Sequence, residues 1–197
     1  MKKGTLIIVA VLAILGMYGC NSYNGLVGKD VAVQEKWAQV QTQYQRRSDL
    51  IANLVKTVQG AADFEKSTLT AVIDARASAT QIKFDAKDLT PENMAKFQAA
   101  QDQLSGSLSR LLVAVEQYPN LKANQNFLEL QAQLESTENR IAVARNDFNK
   151  VVGDYNNSVR KFPNNIMANI FGFAEKAFFA ASEKAQTAPD VNFDFKK

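Results

Sequence analysis

The residues Trp37 to Gly60, WAQVQTQYQRRSDLIANLVKTVQG, carry apolar side chains at every third or fourth position, the spacing of one face of an α-helix. The stripe continues on both sides of this stretch: Val33, Trp37, Val40, Tyr44, Ile51, Leu54, Val58, Ala61 and Val72 all fall on it. A chain with this pattern must bury one side of a long helix against other helices. Gly60 is the only glycine between Lys29 and Ser105, and no proline precedes Pro91. The pattern therefore predicts one helix from about Val31 to about Phe84, ~50 residues and roughly 75 Å long.

A second helix opens on a start signal. Thr90 suits the N-cap, Pro91 the first helical position and Glu92 the first turn. Met94, Phe97, Leu104, Leu108, Leu111, Val115 and Tyr118 mark its core face, and Pro119 and Asn120 end it. A third helix runs from about Asn124 to about Val159 on the stripe Phe127, Leu130, Leu134, Ile141, Ala144, Phe148, Val151 and Tyr155. Phe162 and Pro163 stop it. Short helices are expected over 164–173 and 174–185, then an extended tail over 186–197. Segment 164–173, NNIMANIFGF, has two readings. In the preferred one it packs across the bundle and covers the core; in the other, Ile166, Ile170, Phe171 and Phe173 touch lipid or a partner. No strand-like alternation occurs anywhere. The expected fold is all-α: an up-and-down antiparallel bundle of three long helices plus short C-terminal helices, spanning 24–185.

Ahead of the bundle stands MKKGTLIIVAVLAILGMYGCNSYN. A retained membrane helix needs ~20 apolar residues, and Thr5 to Tyr23 supplies 19. Two other readings compete with this one. A cleaved signal peptide fits the basic start, but no small-x-small site precedes a polar mature start. A lipoprotein signal would put the acyl chain on Cys20, with a suitable Gly19 before it but a bulky Tyr18 where small residues are usual. The preferred reading makes 1–23 a membrane anchor, with lipidation of Cys20 as the alternative. Lys2, Lys3 and the terminal amine then place the N-terminus in the cytoplasm and the bundle outside by the positive-inside rule.

Composition removes several function classes. There is no histidine, so imidazole acid–base catalysis, histidine-activated nucleophiles and imidazole metal sites are absent. One cysteine allows no internal disulfide. Basic and acidic residues number 23 and 20 in mixed order, without the clustered basic face that nucleic-acid binding needs. No phosphate-cradling glycine loop exists; SGSLS at Ser105–Ser109 is a polar interruption inside the second helix. No cofactor and no metal centre is expected.

Four blocks in order carry a family resemblance: SYNGLV at Ser22–Val27, the Trp37–Gly60 stretch, LESTENRIAVARNDFNKVVGDYN at Leu134–Asn156, and FPNNIMANIFGF from Phe162. The chain resembles the LemA family of bacterial membrane proteins from the anchor onward. The resemblance implies an anchored helical bundle in the bacterial cell membrane. It implies no enzymatic activity, since none is established for the family, whose members are often encoded beside membrane peptidases and other envelope proteins. The family pattern has a proline where this chain has Ala52 (RRxDLIPNL), which should leave the first helix straighter here. Cys20 also departs from the more usual apolar residue at the end of the anchor.

Arg46, Asp49 and Asn53 are three and four residues apart and share a helix face; they are the candidate partner-binding surface. Arg47 falls on the apolar stripe itself, and a buried arginine needs a carboxylate. Glu135 and Glu138 are its candidate partners, and Glu138 and Arg145 flank the stripe of the third helix. Arg47, Glu138 and Arg145 are therefore the candidate structural ion-pair set. Tyr23 to Glu35 is expected to outrun the other helices and to offer a surface for homo-oligomer or partner contacts. The function expected is a non-catalytic scaffold or protein-interaction module at the envelope, with an unknown membrane or envelope protein as partner and no nucleic acid. The alternative is an envelope enzyme or small-ligand binder using surface carboxylates such as Glu135, Glu138, Asp147 and Asp154.

Overall fold

The computed structural model describes residues 3–60 and 64–180. Among these, all regular structure is helical: α1 (Lys3–Gln59), α2 (Lys66–Gln81), α3 (Pro91–Val115), the single turn α4 (Pro119–Lys122), α5 (Gln125–Arg160) and α6 (Asn164–Phe171). The expected tail over 186–197 lies outside the described residues.

Helix α1 is unbroken for 57 residues, roughly 85 Å at 1.5 Å per residue. Its N-terminal part has no protein around it: Leu6, Ile8, Leu12, Ile14 and Met17 are all more than half exposed. This stretch is long and apolar enough to cross a bilayer. The helix runs on through Gly25, Gly28 and Ala52 without interruption. From Leu26 onward one stripe is buried, through Val33, Trp37, Val40, Tyr44, Ile51, Leu54 and Val58.

The expected single helix over 31–84 is in fact two. Helix α1 ends at Gln59, Gly60 sits in a turn, and α2 returns antiparallel. The reason is burial. A straight continuation would carry Leu69, Val72, Ala75 and Ala79 beyond any partner; folded back, all four are buried against α3 and α1. Gly60 makes the break cheap, because glycine is about 1 kcal/mol poorer than alanine inside a helix.

The other boundaries follow local chemistry. Thr90 caps α3, its hydroxyl accepting from the Asn93 amide at 3.2 Å, with Pro91 at the first position. Helix α3 runs through Ser105–Ser109 without a break. Asn124 caps α5 in the same way, through the Phe127 amide at 3.2 Å. Helix α6 ends on Gly172 at φ +74°, and the Phe173 amide reaches back to the Ala168 carbonyl at 2.9 Å. Glycine occupies this left-handed closing position at no steric cost.

The core forms two clusters stacked along α1. The distal one joins Ile51, Leu54 and Val58 to α2, to the second half of α3 and to Phe127 and Leu134 of α5. The proximal one, nearer the apolar N-terminal run, centres on Trp37, whose ring lies 5.1 Å from Phe84, 5.5 Å from Phe97, 5.5 Å from Phe148 and 6.1 Å from Phe179. Such aromatic pairs contribute about 0.5–1.5 kcal/mol each beyond their buried area.

The helix expected over 174–185 is absent across its described part. Residues 173–180 form a non-helical strap over the proximal cluster. Side-chain amides replace the helical hydrogen bonds. Asn156 accepts from the Lys176 amide at 2.9 Å and donates to the Lys176 carbonyl at 2.8 Å. Asn149 does the same for Phe179, at 2.9 and 3.0 Å. Gln98 of α3 brackets Ala180 at 3.4 and 3.2 Å. These three amides were not singled out in the sequence. The available signal was an asparagine directly after each of two stripe aromatics, Phe148 and Tyr155, seven residues apart and so on one face of α5.

The expectation that Tyr23–Glu35 stands clear of its partners also fails. Helix α5 is long enough to accompany it, burying Leu26 and Val33. Lys29 reaches the Ser158 hydroxyl, Lys36 pairs with Asp147 at 3.0 Å, and Lys176 of the strap pairs with Asp30 at 2.8 Å.

Candidate functional site

Helix α2 packs mainly on α3, and this pair stands off from the middle of α1. The gap is an open cleft of about 1030 Å³. One wall is α1 from Ala38 to Asn53; the other is the end of α2, the connection through Ile82, Phe84, Asp85 and Asp88, and the α3 residues Phe97, Gln101 and Leu104. Leu50, Ala79, Ile82, Phe84, Phe97 and Leu104 make an apolar floor, while charged side chains stand along the rim.

Arg46, Asp49 and Asn53 all line this cleft and are exposed. Their three-and-four spacing on α1 sets them on one face. The Asp49 carboxylate accepts from the Gln45 amide at 2.9 Å. Across the gap, Lys83, Asp85 and Asp88 complete a rim of mixed sign. Deeper in, Ser48 is buried, and its hydroxyl meets no hydrogen-bonding partner among the described residues. Its carbonyl takes the Arg76 guanidinium at 2.8 Å, tying α2 to α1 at this level.

Behind the cleft, between the two apolar clusters, lies a polar layer. Arg47 is 3% exposed and extends across the bundle. It donates to Glu138 at 2.9 Å, to the Ser105 hydroxyl at 3.1 Å, and to the Gln101 side chain and carbonyl at 2.5 and 3.2 Å. Its guanidinium also lies 5.2 Å from the Tyr44 ring centre. Ser105, from the expected polar interruption, is thus part of this layer. Burial holds the Tyr44 phenol above its ordinary pKa, against the opposing pull of Arg145 and Arg47. Glu138 keeps 46% of its side chain exposed, so the pair is half-solvated at one end.

Arg145 does not join that pair. It lies seven residues beyond Glu138, about 10 Å along α5, and serves the strap instead. It donates to the Ala180 carbonyl at 3.1 Å and stacks 4.8 Å from the Phe179 ring. Among the surface carboxylates, Glu138 and Asp147 are engaged with Arg47 and Lys36. No cluster of metal-ligating side chains occurs among the described residues. Cys20 is exposed on α1, at the end of the apolar run. What the arrangement offers chemically is an apolar trough with a charged edge, suited to burying part of a chain and orienting it through polar contacts.

The same chain has recognisable relatives. It is 28% identical to magnetosome protein MamQ 2 of Paramagnetospirillum magneticum over 95% of its own length and 74% of that protein's. With magnetosome protein MamQ of Magnetospirillum gryphiswaldense it shares 27% identity over 80% of its length and 64% of the relative's. Protein LemA of Metamycoplasma hominis is 22% identical over 86% of this chain and 74% of its own. The model of the LemA family matches residues 36–193, from the start of the Trp37 stripe to beyond the strap. With that match spanning most of the chain, this protein belongs to the LemA family.

Proposed function

We propose that the chain is a non-catalytic, membrane-anchored binding module whose cleft receives a segment of an envelope protein. The observation that carries this reading is the cleft itself. An apolar floor able to bury one face of a peptide is bordered by Arg46, Asp49 and Asn53 on one side and by Lys83, Asp85 and Asp88 on the other. An amphipathic segment lays its apolar face into such a groove and is oriented by charges at the edge. Helix α1 joins the cleft to the bilayer without a joint, so the partner is met at a fixed height above the membrane. The lysines at the N-terminus favour the extracytoplasmic side for the bundle.

The test is photo-crosslinking in cells from a single reactive residue at Gln45, in the cleft, and at Val143, exposed on α5 outside the cleft. The experiment is repeated with Arg46, Asp49 and Asn53 all changed to Ala. A partner trapped from Gln45 but not from Val143, and lost in the triple variant while the aromatic near-ultraviolet signal of the Trp37 cluster is kept, supports the cleft. Equal trapping from both positions, or trapping that survives the triple change, removes it.

A further inference from the structure

Helix α6 sits where α1 leaves the apolar run, and its contacts with α1 are confined to two turns. The Asn164 side chain takes hydrogen bonds from Tyr18 at 3.0 Å and Ser22 at 2.9 Å. Met167 lies against Gly19, where an added Cβ would stand 3.7 Å from its sulfur. The Phe171 ring lies 4.8 Å from Tyr23. These contacts and the buried Ala168 define the inner face of α6. The outer side is apolar and uncovered by the described residues: Phe162 is 80% exposed, Ile166 47% and Ile170 65%, and Phe171 at the edge of the Tyr23 contact 54%. Ile166 and Ile170 are four apart on α6, one above the other, and Phe162 lies in the turn just ahead of the helix. No charged residue occurs between Lys161 and Glu175.

Depth decides what covers this face. A bilayer's hydrocarbon takes ~20 helical residues, so a span beginning at Thr5 ends close to Tyr23. Helix α6 therefore meets the last two turns of the span, the level at which headgroups give way to acyl chains. Tyr18 and Tyr23 stand at the same level, the usual place of interfacial aromatics. A second copy or a protein partner would have to dock inside the membrane boundary to reach this face. Lipid reaches it as a continuation of the apolar surface of α1.

We propose that α6 is an interfacial membrane helix, with Ile166 and Ile170 on its exposed face and Phe162 in the turn before it seated in the headgroup–acyl boundary of the bilayer that α1 crosses. The protein then holds the membrane at two places, a span and a foot beside it. The foot packs on α5 and on the base of α1, so it moves with the bundle as one body. The inference rests on α1 being inserted, and the experiment reports that separately.

The full chain, with Cys20→Ser, is reconstituted in phosphatidylcholine vesicles and spin-labelled at one introduced cysteine at a time: Ile166→Cys, Ile170→Cys, Val143→Cys as an exposed position on α5, and Leu12→Cys within the span. Collisions with oxygen, which concentrates in lipid, are compared with collisions with a water-soluble nickel chelate. At 166 and 170 we expect a several-fold loss of nickel collisions and a gain of oxygen collisions relative to 143. Nickel access at 166 and 170 equal to that at 143, with Leu12 lipid-exposed, overturns the foot while leaving the span intact. A water-exposed Leu12 overturns the span itself, and the foot with it. Protection of 166 and 170 from both reagents also overturns the proposal. Spin–spin broadening that disappears on dilution with unlabelled chain would then assign the face to a second copy.

Discussion

Replacing Arg47 with alanine tests whether the polar layer holds the two core clusters in register. Breaking a fully buried pair on one side costs about 3–5 kcal/mol. Here the stranded partner is Glu138, whose side chain is 46% exposed and regains water by a rotamer change, so most of that penalty does not apply. What remains is the Gln101 side chain, on a residue 6% exposed that loses its donor, worth about 1–3 kcal/mol. To this is added the lost contact of the guanidinium with the Tyr44 ring, about 1 kcal/mol. The sum is about 3 kcal/mol, which at about 2–4 °C per kcal/mol for a chain of this size lowers the thermal midpoint by roughly 6–12 °C. The readout is the tryptophan band of the near-ultraviolet circular dichroism of the detergent-solubilised full chain, because Trp37 is the single tryptophan and sits in the bundle core. Arg47→Met combined with Gln101→Leu leaves no buried side-chain polar group stranded and should recover more than half of the loss. A shift below about 2 °C for Arg47→Ala, less than 1 kcal/mol on the same scale, would refute the reasoning. So would a double variant no more stable than the single one.

Asn156→Ala removes both bonds that hold Lys176 of the strap and should cost about 1–3 kcal/mol, seen as lost hydrogen-exchange protection at the Lys176 amide; unchanged protection refutes the clamp. Tyr155 is 1% exposed and donates to the Ala174 carbonyl at 3.0 Å. Burial, helped by the charge of Asp30, pushes its phenol from 10.0 up to about 12. The folded chain thus keeps this proton to higher pH than the unfolded chain, so the associated stability is whole below pH 10 and is lost as pH rises from 10 towards 12. Tyr155→Phe should flatten the alkaline fall of the thermal midpoint, and an unchanged slope counts against the assignment. Thr90→Ala should cost about 1 kcal/mol through the lost cap, with exchange protection falling in the first turn of α3 only.

The helix boundaries that carry their own local chemistry were legible in the sequence. Thr90 caps α3 as expected, with Pro91 in the first helical position, and α5 starts at the expected Asn124, because such boundaries are decided by the few residues around them. The join at Gly60 was not legible. Nothing in its neighbourhood demands a turn; the demand comes from Leu69 and Val72, which find their partners on α3 only once the chain has folded back. The strap escaped for a similar reason. Its backbone is satisfied by Asn149, Asn156 and Gln98, which lie on other helices, so helix propensity within 174–180 did not decide its shape. Arg46, Asp49 and Asn53 could be placed on one face from their spacing alone. The wall opposite them, Ile82 to Asp88, belongs to a connection whose position depends on the Gly60 turn, so the cleft could not be drawn in advance.

On the proposed insertion of α1, the absence of any joint in that helix makes the molecule a lever pivoted in the bilayer. About 36 residues separate Tyr23 from Gln59, an arm of roughly 54 Å. Spanning helices tilt by about 20° on average, and on this arm such a tilt carries the far end of the bundle sideways by roughly 18 Å. Membrane thickness therefore becomes a mechanical input. A thinner bilayer leans the arm over and a thicker one stands it up, and the mouth of the cleft sweeps through that arc without a single contact inside the bundle changing.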